Sequence, residues 1–252
     1  MPNTFTYSNA SSVVICGDIH GDFEALVFSM CVQYDMHDTL VIVAGDCGLG
    51  FHADGYYEQI YRRVQKRLSA HNCWIAMVRG NHDDPSYFAE QKMHHERFRT
   101  IPDYSVVRAC GHQILCVGGA ISIDRSWRLA EMQRHPERQY YWKNEPTHYD
   151  AAILDEITSS NIHIDTVITH TAPSFCELQT KNGLMSWAAN DPNLLQDCDN
   201  EREQMDMLFT HLKQDKHPVT HWFYGHFHQS WHGEMFGVFF KMLDIMELHE
   251  LR

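Results

Sequence analysis

The chain has 252 residues, 44% apolar and 21% charged, which is the composition of a globular protein rather than a disordered or fibrous one. Lys plus Arg (20) against Asp plus Glu (33) gives a net charge of −13, which argues against long duplex nucleic acid and anionic membrane as partners, since both are bound through Lys and Arg. No apolar run approaches the roughly 18 residues of a bilayer crossing, and residues 1–12 lack the basic and apolar regions of a secretory signal, so a cytoplasmic location is expected.

Short apolar, β-branched runs alternate with amphipathic stretches of helical length. In chain order, strands are predicted over 13–16, 40–44, 73–78, 106–107, 114–117, 166–169, 219–224 and 238–242. Helices are predicted over 22–34, with Asp22 as its N-cap, and over 56–70, 149–160 and 201–214. Many of the strands are continuous apolar runs, as expected where both faces of a sheet are covered. The alternation gives one α/β domain spanning 1–252. Two connections, 122–146 and 172–200, are longer than ordinary loops and are expected to serve substrate recognition or to act as lids. The eight cysteines form no C-x-x-C pair, and several lie inside apolar runs. Most are read as small buried residues of a reducing compartment, Cys47 among them. Arg62, Arg63, Lys66 and Arg67 fall on neighbouring positions of one helix and read as a solvated face.

The turns at the strand ends carry the chemistry. The run 13–16 leads into Gly17-Asp18-Ile19-His20-Gly21, and 40–44 leads into Gly45-Asp46-Cys47-Gly48. The run 73–78 leads into Arg79-Gly80-Asn81-His82-Asp83; 166–169 ends at His170; 219–224 leads into Gly225-His226-Phe227-His228. Each strand delivers Asp, Asn or His at its C-terminal end, the edge of an α/β sheet where ligands bind. Any one motif is explained as well by a satisfied turn or core histidine, and with 19 histidines a single one proves nothing. The ordered set is far harder to explain so.

This order, D-x-H, then G-D, then G-N-H-D, then a lone His, then G-H-x-H, resembles the calcineurin-like metallophosphoesterases. The resemblance spans Asp18 to His228 and implies a four-layer α/β/β/α sandwich, two sheets flanked by helices, with two metal ions at the strand ends. It implies Asp18, His20 and His228 as ligands of one ion, Asn81, His170 and His226 as ligands of the other, and Asp46 as the bridge. Imidazole and carboxylate donors suit Mn above all, with Fe, Zn, Ni or Co as alternatives. The implied reaction is phosphomonoester or phosphodiester hydrolysis by a metal-bridging hydroxide, with no Ser or Cys nucleophile. Asn81 and the non-ligand His82 contact phosphate in this reading; His82 protonates the leaving oxygen and Asp83 fixes its tautomer, unless Asp83 is only a cap. Some relatives keep the fold without catalysis, so an inactive metal-binding scaffold is the alternative; the intact ligand set counts against it.

Departures from the better-known branches narrow the class. Leu49 stands where purple acid phosphatases carry a tyrosine ligand, and Cys47-Gly48-Leu49-Gly50 replaces the arginine-bearing motif of the protein Ser/Thr phosphatases. The chain is more similar to small stand-alone bacterial or phage-type members. The connection 122–146 carries Arg125 and Arg128, which either present guanidinium groups to phosphate or tie down a surface loop. Its stretch Tyr140-Tyr141-Trp142 either stacks on a nucleobase or phosphotyrosine ring or packs within a lid. The expected partner is a phosphate ester: a nucleotide, a short oligonucleotide or a phosphoprotein.

Overall fold

The structure, a computed structural model, describes residues 2–53 and 55–252. Its elements run β1 (Thr4–Thr6), β2 (Ser12–Cys16), α1 (Phe23–Phe28), β3 (Thr39–Val43), α2 (Tyr56–Ala70), β4 (Trp74–Met77), α3 (Pro85–Ala89), β5 (His94–His95), β6 (Phe98–Thr100), β7 (Ser105–Ala109) and β8 (His112–Val117). They continue through α4 (Arg125–Arg134), α5 (Ala151–Ser159), β9 (Thr166–Thr169), α6 (Leu184–Ala188), α7 (Leu194–Gln214), β10 (His221–Tyr224), β11 (Trp231–Met235), β12 (Val238–Met242) and β13 (Leu248–Leu251). One sheet has the order β13-β2-β3-β4-β6-β5, with β2, β3, β4 and β6 parallel and antiparallel strands at both edges. The other has the order β1-β7-β8-β9-β10-β12-β11, with β8, β9, β10 and β12 parallel at its centre.

The period-2 alternation of strand side chains divides the apolar residues into three layers of packing. Val13 and Ile15 of β2, Leu40 and Ile42 of β3, and Trp74 and Ala76 of β4 meet Val107, Ile114, Cys116, Ile168 and Phe223 of the opposite sheet. Their neighbours Val14, Cys16, Val41, Val43, Ile75 and Met77 point the other way, onto Phe23, Leu26, Ile60, Val64 and Leu68 of α1 and α2. On the far sheet, Leu115, Val117, Val167, Trp222 and Tyr224 cover Leu154 and Ile157 of α5 and Met205, Leu208 and Leu212 of α7. The result is the expected α/β/β/α sandwich, and it explains why the central strands read as unbroken apolar runs.

Several elements differ from the sequence reading. Asp22 caps α1 through Ala25, but the helix passes at Ser29–Gln33 into a π-helical turn. The connection 122–146 contains α4, whose sequence has no apolar stripe and whose buried residue is Arg128, so periodicity could not reveal it. The connection 172–200 contains α6 and the first two turns of α7, which begins at Leu194 rather than 201 because Leu194 packs on Ile121, Ile123 and Leu184. The short strands β1, β5, β6, β11 and β13 form because a neighbouring strand offers a free ladder, not because their own sequences demand it. The cysteines are unpaired; six are buried, Cys198 is intermediate and Cys110 exposed. Among the described residues no helix is long and apolar enough to cross a membrane.

Asp83 is a correction. Its buried carboxylate accepts hydrogen bonds from the backbone N–H of Gly80 (2.8 Å), Cys47 (3.0 Å) and Leu49 (2.9 Å), rather than orienting the His82 ring. The loops after β3 and β4 leave these amides outside the sheet ladder, and a buried amide needs an acceptor. Burial and the charge of Asp46 still push its pKa up to about 7, against the pull of the amides. Asp83 therefore fastens two ligand-bearing loops to each other. Changing it to Ala strands three buried donors, and we expect a loss of roughly 3–5 kcal/mol, at about 1–3 for each stranded group with partial relaxation. Urea denaturation should show a lower midpoint at constant m. An unchanged midpoint would show that the three amides find other acceptors and that Asp83 does not fasten the loops.

Candidate metal centre

Five strands of both sheets end at the same place. Asp18 and His20 follow β2, Asp46 follows β3, Asn81 and His82 follow β4, His170 follows β9, and His226 and His228 follow β10. The turns are tight enough that His20, Asp46, His226 and His228 take positive φ, between 44° and 70°. Such conformations cost of order 1–3 kcal/mol each and persist only where the surroundings impose them. Close approach imposes the glycines. A Cβ on Gly225 would stand 2.1 Å from Asp18 Oδ1, and one on Gly80 would stand 2.1 Å from Asp46 N and 2.2 Å from Asp46 Oδ1.

The site has two halves that meet at Asp46. In the first, single ligand atoms of Asp18, His20, Asp46 and His228 all lie within 4.8 Å of one another. His228 Nε2 is 3.1 Å from Asp18 Oδ2 and 3.1 Å from His20 Nε2. In the second, Asn81 Oδ1 lies 2.8 Å from His226 Nδ1 and 3.1 Å from His170 Nε2, and that nitrogen is 3.0 Å from Asp46 Oδ1. Asp18, Asp46, Asn81, His170 and His226 are buried, whereas His20 and His228 reach solvent and leave the cluster open on one side.

These donors fit divalent metal ions. Asp18 Oδ2 and Asp46 Oδ2 are buried without a hydrogen-bond partner, although imidazole nitrogens stand close by. Nor does a Lys or Arg pair with either carboxylate among the described residues; the neighbouring bases are histidines. Buried carboxylates need compensation by charge or hydrogen bonds. The local field shows the deficit: burial works against a charged His170, yet Asp46 and Asp18 outweigh it and hold its pKa up to about 9. His226, which lacks such close carboxylates, is pushed well below its usual range by burial and then by Lys181. A ring proton on His170 occupies the electrostatic place that a metal cation would take.

A chain of contacts orients Asn81. Its Nδ2 donates to Ser122 Oγ (3.0 Å), and Ser122 Oγ donates to Glu145 Oε2 (2.8 Å) while Ser122 N donates to Glu145 Oε1 (2.6 Å). With the hydroxyl proton committed to Glu145, Ser122 accepts from the amide nitrogen, so Asn81 Oδ1 faces the two imidazoles. Nothing in the sequence marks Ser122 or Glu145 for this role. Arg79, buried at the end of β4, donates to Asp103 and to the carbonyls of Gly118, Glu145 and Pro146, and so joins the two sheets below the site.

The two arginines of connection 122–146 part company. Arg128, held by Asp124 Oδ1 (2.7 Å) and the Tyr140 carbonyl (3.1 Å), brings Nη2 to 2.7 Å from His82 Nε2. Arg125 instead binds Asp191 (2.6 Å) and Asp197 (2.5 Å), carboxylates of the acidic 191–206 segment, far from it in sequence. It ties the two long connections together and is not brought to the cluster. Burial, with Arg128 and Lys181 adding positive charge, pushes the pKa of His82 down to about 4. Cys47, beside Asp46, is inert: its thiol donates to the Val78 carbonyl, and burial drives its pKa far up.

The sequence model of the calcineurin-like phosphoesterases matches residues 11–230. Comparison with curated protein sequences returns no match. Among solved structures, the chain is similar to a phosphopantetheinyl hydrolase from Mycobacterium tuberculosis, at 12% identity and a TM-score of 0.36, over 94% of this chain and 91% of that one. It is also similar to GAP50, the anchor in the inner membrane complex of Plasmodium, at 11% identity and a TM-score of 0.40, over 92% of this chain and 71% of that one. The family match covers every ligand-bearing strand end of the site, and the chain belongs to the calcineurin-like phosphoesterase family.

Proposed function

We propose that the chain hydrolyses phosphoesters at a centre of two divalent first-row ions, Mn first and Fe, Zn, Ni or Co compatible with the same donors. One observation carries this reading: the oxygens Asp18 Oδ2 and Asp46 Oδ2 lie buried without a hydrogen-bond partner where imidazole nitrogens converge. Asp18, His20 and His228 would hold one ion and Asn81, His170 and His226 the other, with Asp46 shared. Bound there, such ions supply Lewis-acid stabilisation of phosphate charge and activation of a water nucleophile. The substrate is a phosphate ester carried by a nucleotide, a short oligonucleotide or a phosphoprotein.

The chain's own residues do the rest. Arg128 is the phosphate-binding cation, and Asn81, turned by Ser122, lies at the same end of the sheets. A guanidinium donates only, so while Arg128 Nη2 faces His82 Nε2 at 2.7 Å that nitrogen accepts and carries no proton. A phosphate oxygen that draws the guanidinium to itself frees Nε2 to take a proton from solvent water, leaving His82 as the imidazolium. His82 then delivers it to the leaving oxygen. The Asp46 carboxylate accepts from the backbone N–H of His82 (2.7 Å), which keeps this histidine in register with the ligands.

Reconstituted protein should bind two ions per chain by elemental analysis. Prolonged chelation should abolish hydrolysis of nitrophenyl phosphate and bis(nitrophenyl) phosphate, with Mn²⁺ restoring it; one ion or none, or activity that survives chelation, would overturn the reading. His82→Asn should retain both ions and slow turnover of an ester with a poor leaving group by roughly 10²–10⁴, the scale of general acid catalysis. Nitrophenolate needs little protonation, so its ester should slow less. His226→Ala and His228→Ala should instead lose metal and impair both substrates alike. Loss of metal in His82→Asn, or equal slowing of the two esters, would make His82 a ligand or a charge stabiliser. Ser122→Ala should weaken binding of one ion by roughly 10–100-fold in calorimetric titration, as is usual when a group supporting a ligand is removed; unchanged affinity would deny the Ser122 relay.

A further inference from the structure

We infer that Phe51 and Trp142 form a leaving-group subsite, and that it takes an aromatic ring bonded directly to the ester oxygen, as in an aryl phosphate or a phosphotyrosine side chain. The inference rests on the proposed phosphoesterase activity, with His82 at the leaving oxygen. The Phe51 ring lies 6.4 Å from the His82 ring, tilted by 47°, and Trp142 stands edge-on to Phe51 at 5.0 Å and 82°. The two side chains come from separate segments, the loop after β3 and the connection 122–146, and both are half-buried.

The wall is built rather than incidental. Tyr57, buried on α2, accepts from the backbone N–H of Gly50 (2.8 Å) and Phe51 (3.1 Å), and its hydroxyl donates to the Gly48 carbonyl (2.7 Å). Phe51 is thereby fixed by a residue of the core. Trp142 lies so close to Gly50 that a Cβ there would stand 2.9 Å from Trp142 Cζ2, and its carbonyl accepts from Glu145 N at 3.0 Å. The Tyr140 carbonyl that holds Arg128 is two residues away, so one segment positions both the phosphate-binding cation and the aromatic wall.

The spacing selects the ring's attachment. A leaving oxygen hydrogen-bonded to His82 sits about 2.8 Å from the imidazole nitrogen, and an aryl ring begins one bond beyond it. Aromatic rings pair at roughly 4.5–7 Å between centroids, and Phe51 is itself 6.4 Å from the His82 ring, so a ring attached there meets Phe51 when it leaves the oxygen on the Phe51 side of His82. A nucleobase stands a whole ribose further from its phosphate than a ring bonded to the ester oxygen.

The test uses the metal-reconstituted full chain and calorimetric binding of benzylphosphonate, in which a methylene replaces the ester oxygen, against ethylphosphonate. The expected result is roughly three- to ten-fold tighter binding of the benzyl compound, the scale of one aromatic pair. That ratio should fall towards one in Phe51→Leu and Trp142→Leu, each of which should still carry two ions and unfold cooperatively. A ratio of one in the unaltered protein, or a ratio unmoved in both variants, would overturn the subsite. So would adenosine monophosphate exceeding ribose 5-phosphate by the same factor, because it would place a nucleobase on the wall. If the metal-loaded protein binds neither phosphonate and hydrolyses no ester, the parent reading fails and takes this one with it.

Discussion

Two carboxylates, Asp18 and Asp46, are fully buried at the C-terminal ends of adjacent parallel strands with imidazoles as their neighbours and an oxygen of each left unmatched. That is the constraint around which the molecule is arranged. A carboxylate in such surroundings raises the free energy of folding unless cations join it. Holding the pair in place also requires local strain: left-handed backbone at Asp46 and His20, and glycines at 80 and 225 where a side chain would strike the carboxylates. Features that weaken a fold are thus concentrated where a metal ion would offset them.

The ligands are divided between the sheets, so the site exists only when the sandwich closes. Asp18, Asp46 and Asn81 belong to one sheet, and His170, His226 and His228 to the other. The inter-sheet layer of Ile15, Ile42, Ala76, Cys116, Ile168 and Phe223 sets their separation. Close packing at crystal-like density leaves little freedom to adjust it. Asp83 and Arg79 then finish the alignment with backbone hydrogen bonds, Asp83 between the loops of one sheet and Arg79 across to the other.

The long connections are held to each other by charge as well as by the apolar cluster of Ile121, Ile123, Leu184 and Leu194. Arg125 joins α4 to the acidic segment that begins α7, and Arg128 turns from the same helix towards His82. Three positions apart on one helix, the two arginines differ in role because only Arg125 meets carboxylates of the other connection. The aromatic residues of the segment divide in the same way: Tyr141 is buried, whereas Trp142 meets Phe51 beside His82.

The sequence by itself determined the parallel strands and the residues at their ends. A buried strand must be an unbroken apolar run, and a ligand-bearing turn must succeed it with Gly, Asp, Asn and His, so both leave local marks at Val13–His20, Leu40–Asp46 and Trp74–His82. It also determined the family, because the order of those turns is a property of the chain alone. Tertiary structure decided whatever depends on a partner distant in sequence. Helix α4 has no apolar stripe and exists through Arg128 and Arg125, edge strands such as β13 borrow the ladder of β2, and Asp83 finds the amides of Cys47 and Leu49 in the loop of the neighbouring strand rather than the ring beside it. Hydrogen bonds and ion pairs of this kind carry no periodicity; residues distant along the chain choose one another only after the core has set the distance between them.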